Sequence, residues 1–254
     1  LRSRPQMTVV RQQVRFAGTA PATPLAMMKE ARLFRDLPLR VAGFSSREPG
    51  ERNVRVVVLF DSPDPAAALT DAIVGLFSED GKLVASRVMP AAELVGSTVT
   101  TALTVPAGRY RLRVAASEAS GRGGTADFVL DAGLVSAGAL TLSDLVLGLS
   151  RDGQFQPRLE FGAEATAMAH LEIYGGREGA RVGVMFEIAR TVNGPAIVTM
   201  PGAFAPTNES DRFLVTAAIP IGALPPGDYV VRATVAAQDQ AGGRVVRPLR
   251  KVAR

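Results

Sequence analysis

The chain of 254 residues has no cysteine, no tryptophan and a single histidine, His170. The missing cysteine excludes disulfides, thiolate metal sites and Cys nucleophiles. With one imidazole in the chain, a Ser-His pair or a His-based metal site would have to rest on His170 alone. Aromatic residues make up only 6%, which leaves little for the stacking platforms that carbohydrate and single-stranded nucleic acid readers use. No apolar run approaches the ~20 residues that span a bilayer as a helix. The first residue is Leu1 rather than Met, and no signal-peptide pattern follows it. The expectation is a mature fragment or a piece of something longer, with any targeting segment upstream.

Hydrophobic residues reach 47%, so a packed core is expected rather than wholesale disorder. The net charge of +5 is unevenly spread. Residues 1–55 carry a balance of +7 and residues 244–254 a balance of +5, while the 188 residues between them carry −7. A nucleic-acid domain concentrates its basic residues on a working face among aromatics. Here the basic residues sit at the two ends, and nucleic acid is not expected as a partner.

Along the chain, short β-prone runs alternate with turn signals. Residues 1–17 read as a hairpin or as the closing strand of an earlier unit, with Thr8-Val9-Val10 and Gln13-Val14-Arg15-Phe16 as short β-prone runs. Gly18 to Pro24 reads as a small-residue linker, and Leu25 to Phe34 as a short helix. Val54 to Phe60 fits a strand buried on both faces. Asp80-Gly81 and Asn193-Gly194 are hairpin signals. Val182, Val184, Phe186 and Ile188 alternate, as do Phe213, Val215, Ala217 and Ile219.

One stretch occurs twice. Pro106-Ala107-Gly108-Arg109-Tyr110 returns as Pro225-Pro226-Gly227-Asp228-Tyr229, and each copy leads into a strand. Gly108 and Gly227 lie 119 positions apart, and so do Tyr110 and Tyr229. Gly123-Gly124 matches Gly242-Gly243 at the same offset. Earlier, Val56, Val58 and Phe60 match Val182, Val184 and Phe186 at 126. We read two copies of one β-sandwich of about 100 residues and roughly seven strands each. Pro presets φ for the turn, Gly is expected at positive φ, and the Tyr hydroxyl is expected to bond backbone around the corner. The fold class expected is all-β, two tandem immunoglobulin-like or fibronectin-like antiparallel sandwiches. The expected boundaries are 1–35 for the hairpin, linker and helix, 36–134 for the first sandwich, 135–155 for a connector and 156–254 for the second. Within the connector, Leu142 to Gly148 is either a short strand laid across both domains or a turn capped by Asp144.

Several segments resemble the C-terminal region of acidobacterial proteins related to the von Willebrand factor A domain. They are Asp36 to Val41, Arg55 to Phe60, Gly108 to Val114, Leu142 to Gly148 and Leu224 to Tyr229, with Arg4 to Val9 resembling the stretch after the A domain. In that family an exported A-type domain precedes β-sandwiches. The resemblance implies an extracytoplasmic location and a partner that is another protein or an upstream domain of the same chain. The Asp-X-Ser-X-Ser metal motif of the A domain is absent, so its metal-dependent adhesion does not carry over, and no cofactor is expected.

The candidate sites are few. Pro106, Gly108, Tyr110, Pro225, Gly227 and Tyr229 are structural corners. Arg109, Arg111 and Arg113 alternate with Tyr110, Leu112 and Val114, and form a row that either meets an acidic glycan or partner protein or is a solvated face. His170 near Glu172 is either half of a dyad or an ordinary strand histidine, with no Gly-X-Ser-X-Gly to support the former. Asp61 and Asp64 are either oxygen ligands for Ca²⁺ or a polar turn. Arg122-Gly123-Gly124 opens no helix and is not read as a phosphate cradle. Asn208-Glu209-Ser210 matches a glycosylation acceptor. The expected function is a non-catalytic module for protein contact or for positioning an upstream domain. The alternatives are a carbohydrate-binding module or accessory domains of a hydrolase.

Overall fold

A computed structural model describes residues 23–48, 53–175, 182–205, 207–209, 211–237 and 240–253. The hairpin expected over 1–17 lies outside the described residues. The chain starts with a six-residue helix, α1 (Pro24–Lys29), capped by Thr23, whose hydroxyl accepts from the Ala26 amide at 3.3 Å. Pro at the first helical position suits this cap, because its missing N–H is one the helix would leave unpaired. The helix is shorter than the periodicity suggests. From Glu30 the backbone is extended, and the next residues pair instead with the edge of a later strand.

The first sandwich contains β1 (Arg40–Arg47), β2 (Val54–Asp61), β3 (Leu69–Phe77), β4 (Leu83–Pro90), β5 (Val99–Val105), β6 (Gly108–Glu118) and β7 (Gly123–Ala132). A three-stranded sheet in the order β1-β2-β5 faces a four-stranded sheet β4-β3-β6-β7. Next come β8 (Val135–Ala137), β9 (Leu140–Leu142), β10 (Val146–Arg151), β11 (Gln154–Pro157), β12 (Thr166–Tyr174), β13 (Val182–Ala189), β14 (Ala196–Pro201), β15 (Ala203–Ala205), β16 (Arg212–Pro220), β17 (Gly227–Ala237) and β18 (Gln240–Lys251). They form a sheet β11-β10-β12-β16-β15, with β8 and β9 attached at β12, and a four-stranded sheet β14-β13-β17-β18. All strand pairings between named strands are antiparallel. The two four-stranded sheets are built alike, and each has a large buried core. Residues 135–155, expected as a connector, instead supply β8 to β11 and hydrogen-bond into the sheet of β12.

Sheet position corrects one internal match. β2 lies between β1 and β5, whereas β13 lies between β14 and β17 in the opposite kind of sheet. The counterpart of β13 is β3. Leu76 pairs with Leu112 and Ile188 with Val231, and 112 and 231 are the same place in the repeat, so this strand is offset by 112. The match at 126 arose because the core-facing residues of any strand recur with the same period of two. Even the irregularity is duplicated, since the register slips between Leu76 and Phe77 and again between Ile188 and Ala189.

Both corners form. The Tyr110 hydroxyl donates to the Pro106 carbonyl at 2.9 Å and the Tyr229 hydroxyl to the Pro225 carbonyl at 2.8 Å. Gly227 has φ +150°, but Gly108 has no positive φ, so the expectation holds at one corner only. The paired glycines act by close approach rather than at the turn. The segment entering the first sandwich crosses β7, with Thr125 N–H donating to Phe34 O at 2.9 Å and Leu37 N–H to Gly123 O at 3.1 Å. A Cβ on Gly124 would run into the Leu37 carbonyl. In the second sandwich β8 enters across β18, and a Cβ on Gly243 would lie 2.7 Å from the Ala137 Cβ.

Candidate functional site at the junction of the sandwiches

The outer face of the β1-β2-β5 sheet is the one on which polar and apolar groups of both sandwiches meet. Val54, Val56, Val58 and Phe60 fill the first core, so their neighbours on β2 point outward. One of these is Leu59, fully buried with Ala42 and Phe44 in a cluster completed by Val57, Val146 and Leu159. Val146 and Leu159 belong to the second sandwich, so β2 is buried on both faces by sandwich against sandwich. Covering Phe44 and Leu59 contributes on the order of 2 kcal/mol each.

The free edge of β1 is also closed. Ser45 N–H donates to Asp144 Oδ2 at 2.7 Å, and Asp144 N–H donates back to Ser45 O at 2.8 Å. Two residues on, Arg47 N–H donates to the Tyr174 hydroxyl at 3.0 Å. An exposed strand edge invites foreign strands, and here side chains and backbone of the second sandwich cover it. Asp144 therefore caps the other sandwich, not a local turn. Burial pushes its carboxyl above the ordinary value, an effect that the Ser45 amide only partly offsets. Arg247 of β18 stacks on the Phe44 ring at 4.0 Å, and burial lowers its guanidinium to about 10, with the Asp144 charge pulling the other way.

Ion pairs flank this centre. The Arg47 guanidinium reaches Asp211 at 2.6 Å and Glu209 at 2.8 Å, and lies over the Tyr174 ring at 4.5 Å. The Tyr174 hydroxyl donates to Glu172, and burial together with that bond holds the phenol well above its ordinary pKa. On the other side Arg40 bridges Asp61 at 2.7 Å and Glu160. Asp61 is thus committed to an arginine, and Asp64 pairs with Arg122 at 2.9 Å. Neither carboxylate is left for a cation, and among the described residues no group of three or more His, Asp and Glu gathers as a metal site.

His170 lies in the middle of β12, opposite Thr216 and Val146. Its ring stacks on Phe155 with centroids 3.6 Å apart. It borders a cavity of about 210 Å³ between the sandwiches, walled by Phe44, Arg55 and Val57 on one side and Phe155, Glu172 and Leu214 on the other. Burial pulls the imidazole down to about 4, against the Glu172 charge, which acts to raise it. Ser143 lines the same cavity from the second sandwich, but it donates to Asp144 O at 2.8 Å and accepts from Glu172 N–H at 2.9 Å. Glu209 of the acceptor-like Asn208-Glu209-Ser210 is held by Arg47 and Arg212, and Ser210 lies outside the described residues.

The arginine row does not form one surface. Arg109 is exposed and reaches Asp131 only at 3.8 Å. Arg111 lies over Phe77 at 4.5 Å and meets Asp127 at 3.2 Å. Arg113 is buried, bonded to Asp127 at 2.6 and 2.9 Å and to the Glu30 carbonyl. α1 places Met27 and Met28 on this face against Ile73, Phe77 and Ala115, which is why a row that reads as solvated is covered at its inner end. The counterpart of Arg113 is Arg232, 119 positions on. It too is buried, pairs with Glu187 at 2.8 Å and bonds the Val192 and Gly194 carbonyls of the loop after β13. The carboxylate has changed strands. Asp127 on β7 corresponds to Val246, and Glu187 on β13 corresponds to Gly75. A side chain at Gly75 would meet Met28 and Leu83, so the acid cannot sit there where α1 is docked. This shared arginine was present in the repeat and was missed, because an alternating Arg reads as an outward, wet residue.

No family model matches the chain, and no curated protein matches it. Among solved structures it is similar to red sea bream transglutaminase, at 9% identity and a TM-score of 0.28 over 84% of this chain and 31% of that one. It is also similar to a DUF3823 family protein from Bacteroides ovatus, at 10% identity and a TM-score of 0.30 over 84% of this chain and 99% of that one. The chain thus spans about a third of the transglutaminase. No helix among the described residues is long and apolar enough to cross a membrane.

Proposed function

We propose that the chain is a non-catalytic positioning module, a pair of immunoglobulin-like or fibronectin-like sandwiches clasped into one unit that holds an attached domain or a partner protein at a fixed distance and angle outside the cytoplasm. The observation that carries this reading is the junction. Asp144, Tyr174, Glu209 and Asp211 of the second sandwich bond Ser45 and Arg47 of the first, and the cluster around Phe44 and Leu59 packs the two together. A flexible linker would serve if the sandwiches acted separately. The strand order of the first sandwich, three strands against four, and the Tyr corner on β6 and again on β17 support the immunoglobulin-like assignment; the second sandwich sets seven strands against four, more than the roughly seven in all expected for each copy. Resemblance to the region after the A domain in acidobacterial proteins supports the location. The test is a pull-down from envelope fractions with the full-length protein, comparing wild type with Asp144→Ala. Retention of a partner by wild type and its loss when the clasp is opened is the expected result. Absence of any envelope partner, together with an upstream domain that folds and works without this region, would defeat the proposal.

A further inference from the structure

The chain has one histidine, and it lies between the two sandwiches. We propose that the junction is an acid-sensitive hinge, in which protonation of His170 separates the sandwiches while each stays folded. The geometry carries the argument. His170 is half-buried at the cavity between the sandwiches, one face of its ring is covered by Phe155, and no hydrogen bond to either ring nitrogen is formed by the described residues. A neutral imidazole tolerates this position. An imidazolium needs acceptors for two N–H groups, and the carboxylate that acts on the ring, Glu172, already accepts from Tyr174 and Arg212.

The charges around it come from every side. Glu172 on its own strand attracts a proton to the ring, but already accepts from Tyr174 and Arg212. Asp144, just before β10, accepts from Ser45 N–H and faces Arg247. Arg55 on β2, an exposed side chain, lines the opposite wall. Arg47 on β1 is tied to Glu209 and Asp211, and Arg212 at the start of β16 to Glu172 and Glu209. β11 brings no charge to the cavity. The net preference is for the neutral ring, with the pKa drawn down to about 4.

The sign of the linkage follows. The ring binds a proton more weakly when the junction is closed than when it is open. The contribution of His170 to closure is complete above its ordinary value of ~6.5 and declines as the pH falls toward 4. Going from pH 7.5 to 5.0 therefore shifts the equilibrium toward the open form by up to about 30-fold, less in proportion to the water that reaches the ring. Asp144 works in the opposite direction, since burial raises its carboxyl and acid would favour closure through it. The effect of His170 must thus be isolated by substitution.

Amide hydrogen exchange on the full chain reads the opening directly. The Ser45 and Asp144 N–H groups are protected by bonds that cross the junction, whereas Leu112 and Phe186 lie within the two sandwich cores. Protection at Ser45 and Asp144, corrected for intrinsic rates, is expected to fall about 10- to 30-fold from pH 7.5 to 5.0. Leu112 and Phe186 should not change. In His170→Phe and His170→Gln the fall should disappear. Equal protection at both pH values, a fall that survives in both variants, or a parallel fall at Leu112 and Phe186 would each overturn the proposal. Small-angle scattering gives a second readout, because an open junction lengthens the particle at pH 5.0 in wild type and leaves His170→Gln unchanged.

Discussion

Arg113 gives the most direct test of the packing argument. Its guanidinium is 3% exposed and makes two bonds to Asp127, at 2.6 and 2.9 Å, plus one to the Glu30 carbonyl. Arg113→Met keeps most of the aliphatic stem and removes the charge. Breaking a buried pair costs about 3–5 kcal/mol when the surviving charge is fully enclosed. Asp127 is 25% exposed and keeps Arg111 at 3.2 Å, so the expected loss is smaller, about 2–3 kcal/mol. Arg109→Met removes a pair that is 61% and 84% exposed at 3.8 Å and should change stability by less than about 0.5 kcal/mol. Residue-resolved amide exchange in the first sandwich, for example at Leu112, reports the relevant unit. Because Arg113 also holds the carbonyl at the end of α1, trypsin should cut faster after Lys29 in Arg113→Met than in wild type. If Arg113→Met and Arg109→Met destabilise the chain equally, the assignment of a buried, structural arginine is wrong.

Other outcomes follow from the internal duplication. Tyr110→Phe and Tyr229→Phe should each cost about 1 kcal/mol, and each only in its own sandwich, as measured by residue-resolved exchange; unequal losses above twofold would mean that the corners are not equivalent. Gly124→Ala forces the Leu37 carbonyl away and should destabilise the first sandwich by about 1–3 kcal/mol in urea, whereas Gly133→Ala, with open space around it, should not. Glu187→Ala leaves Arg232 without its carboxylate and should cost about 2–3 kcal/mol. Adding Val246→Asp puts the acid back where the first sandwich keeps it, and most of that loss should be recovered in a double-mutant cycle. No recovery would refute the equivalence of Arg113 and Arg232.

Much of the architecture was legible in the residues. The alternation in β6, β13 and β16, the Asp80-Gly81 turn with Gly81 at φ +82° and the repeated corner are local devices, fixed by the period of a strand and by turn geometry. The helix was over-extended because periodicity could not show that residues after Lys29 find better backbone partners on β7. The match between β2 and β13 is misplaced because the core-facing residues of every strand recur at every second position, and only pairing distinguishes neighbours in a sheet.

The sequence alone determined an all-β chain with two copies of one unit, since composition, period and turn residues act over a few positions. The tertiary structure decided the rest. Asp144 and Ser45 are 99 positions apart, and Arg47 and Tyr174 are 127 apart. Whether such residues meet depends on how two sheets face each other, which no local rule encodes. The same holds for the arginines at 113 and 232. Their spacing was in the chain, but their burial required α1 in one sandwich and the loop after β13 in the other to fold over them.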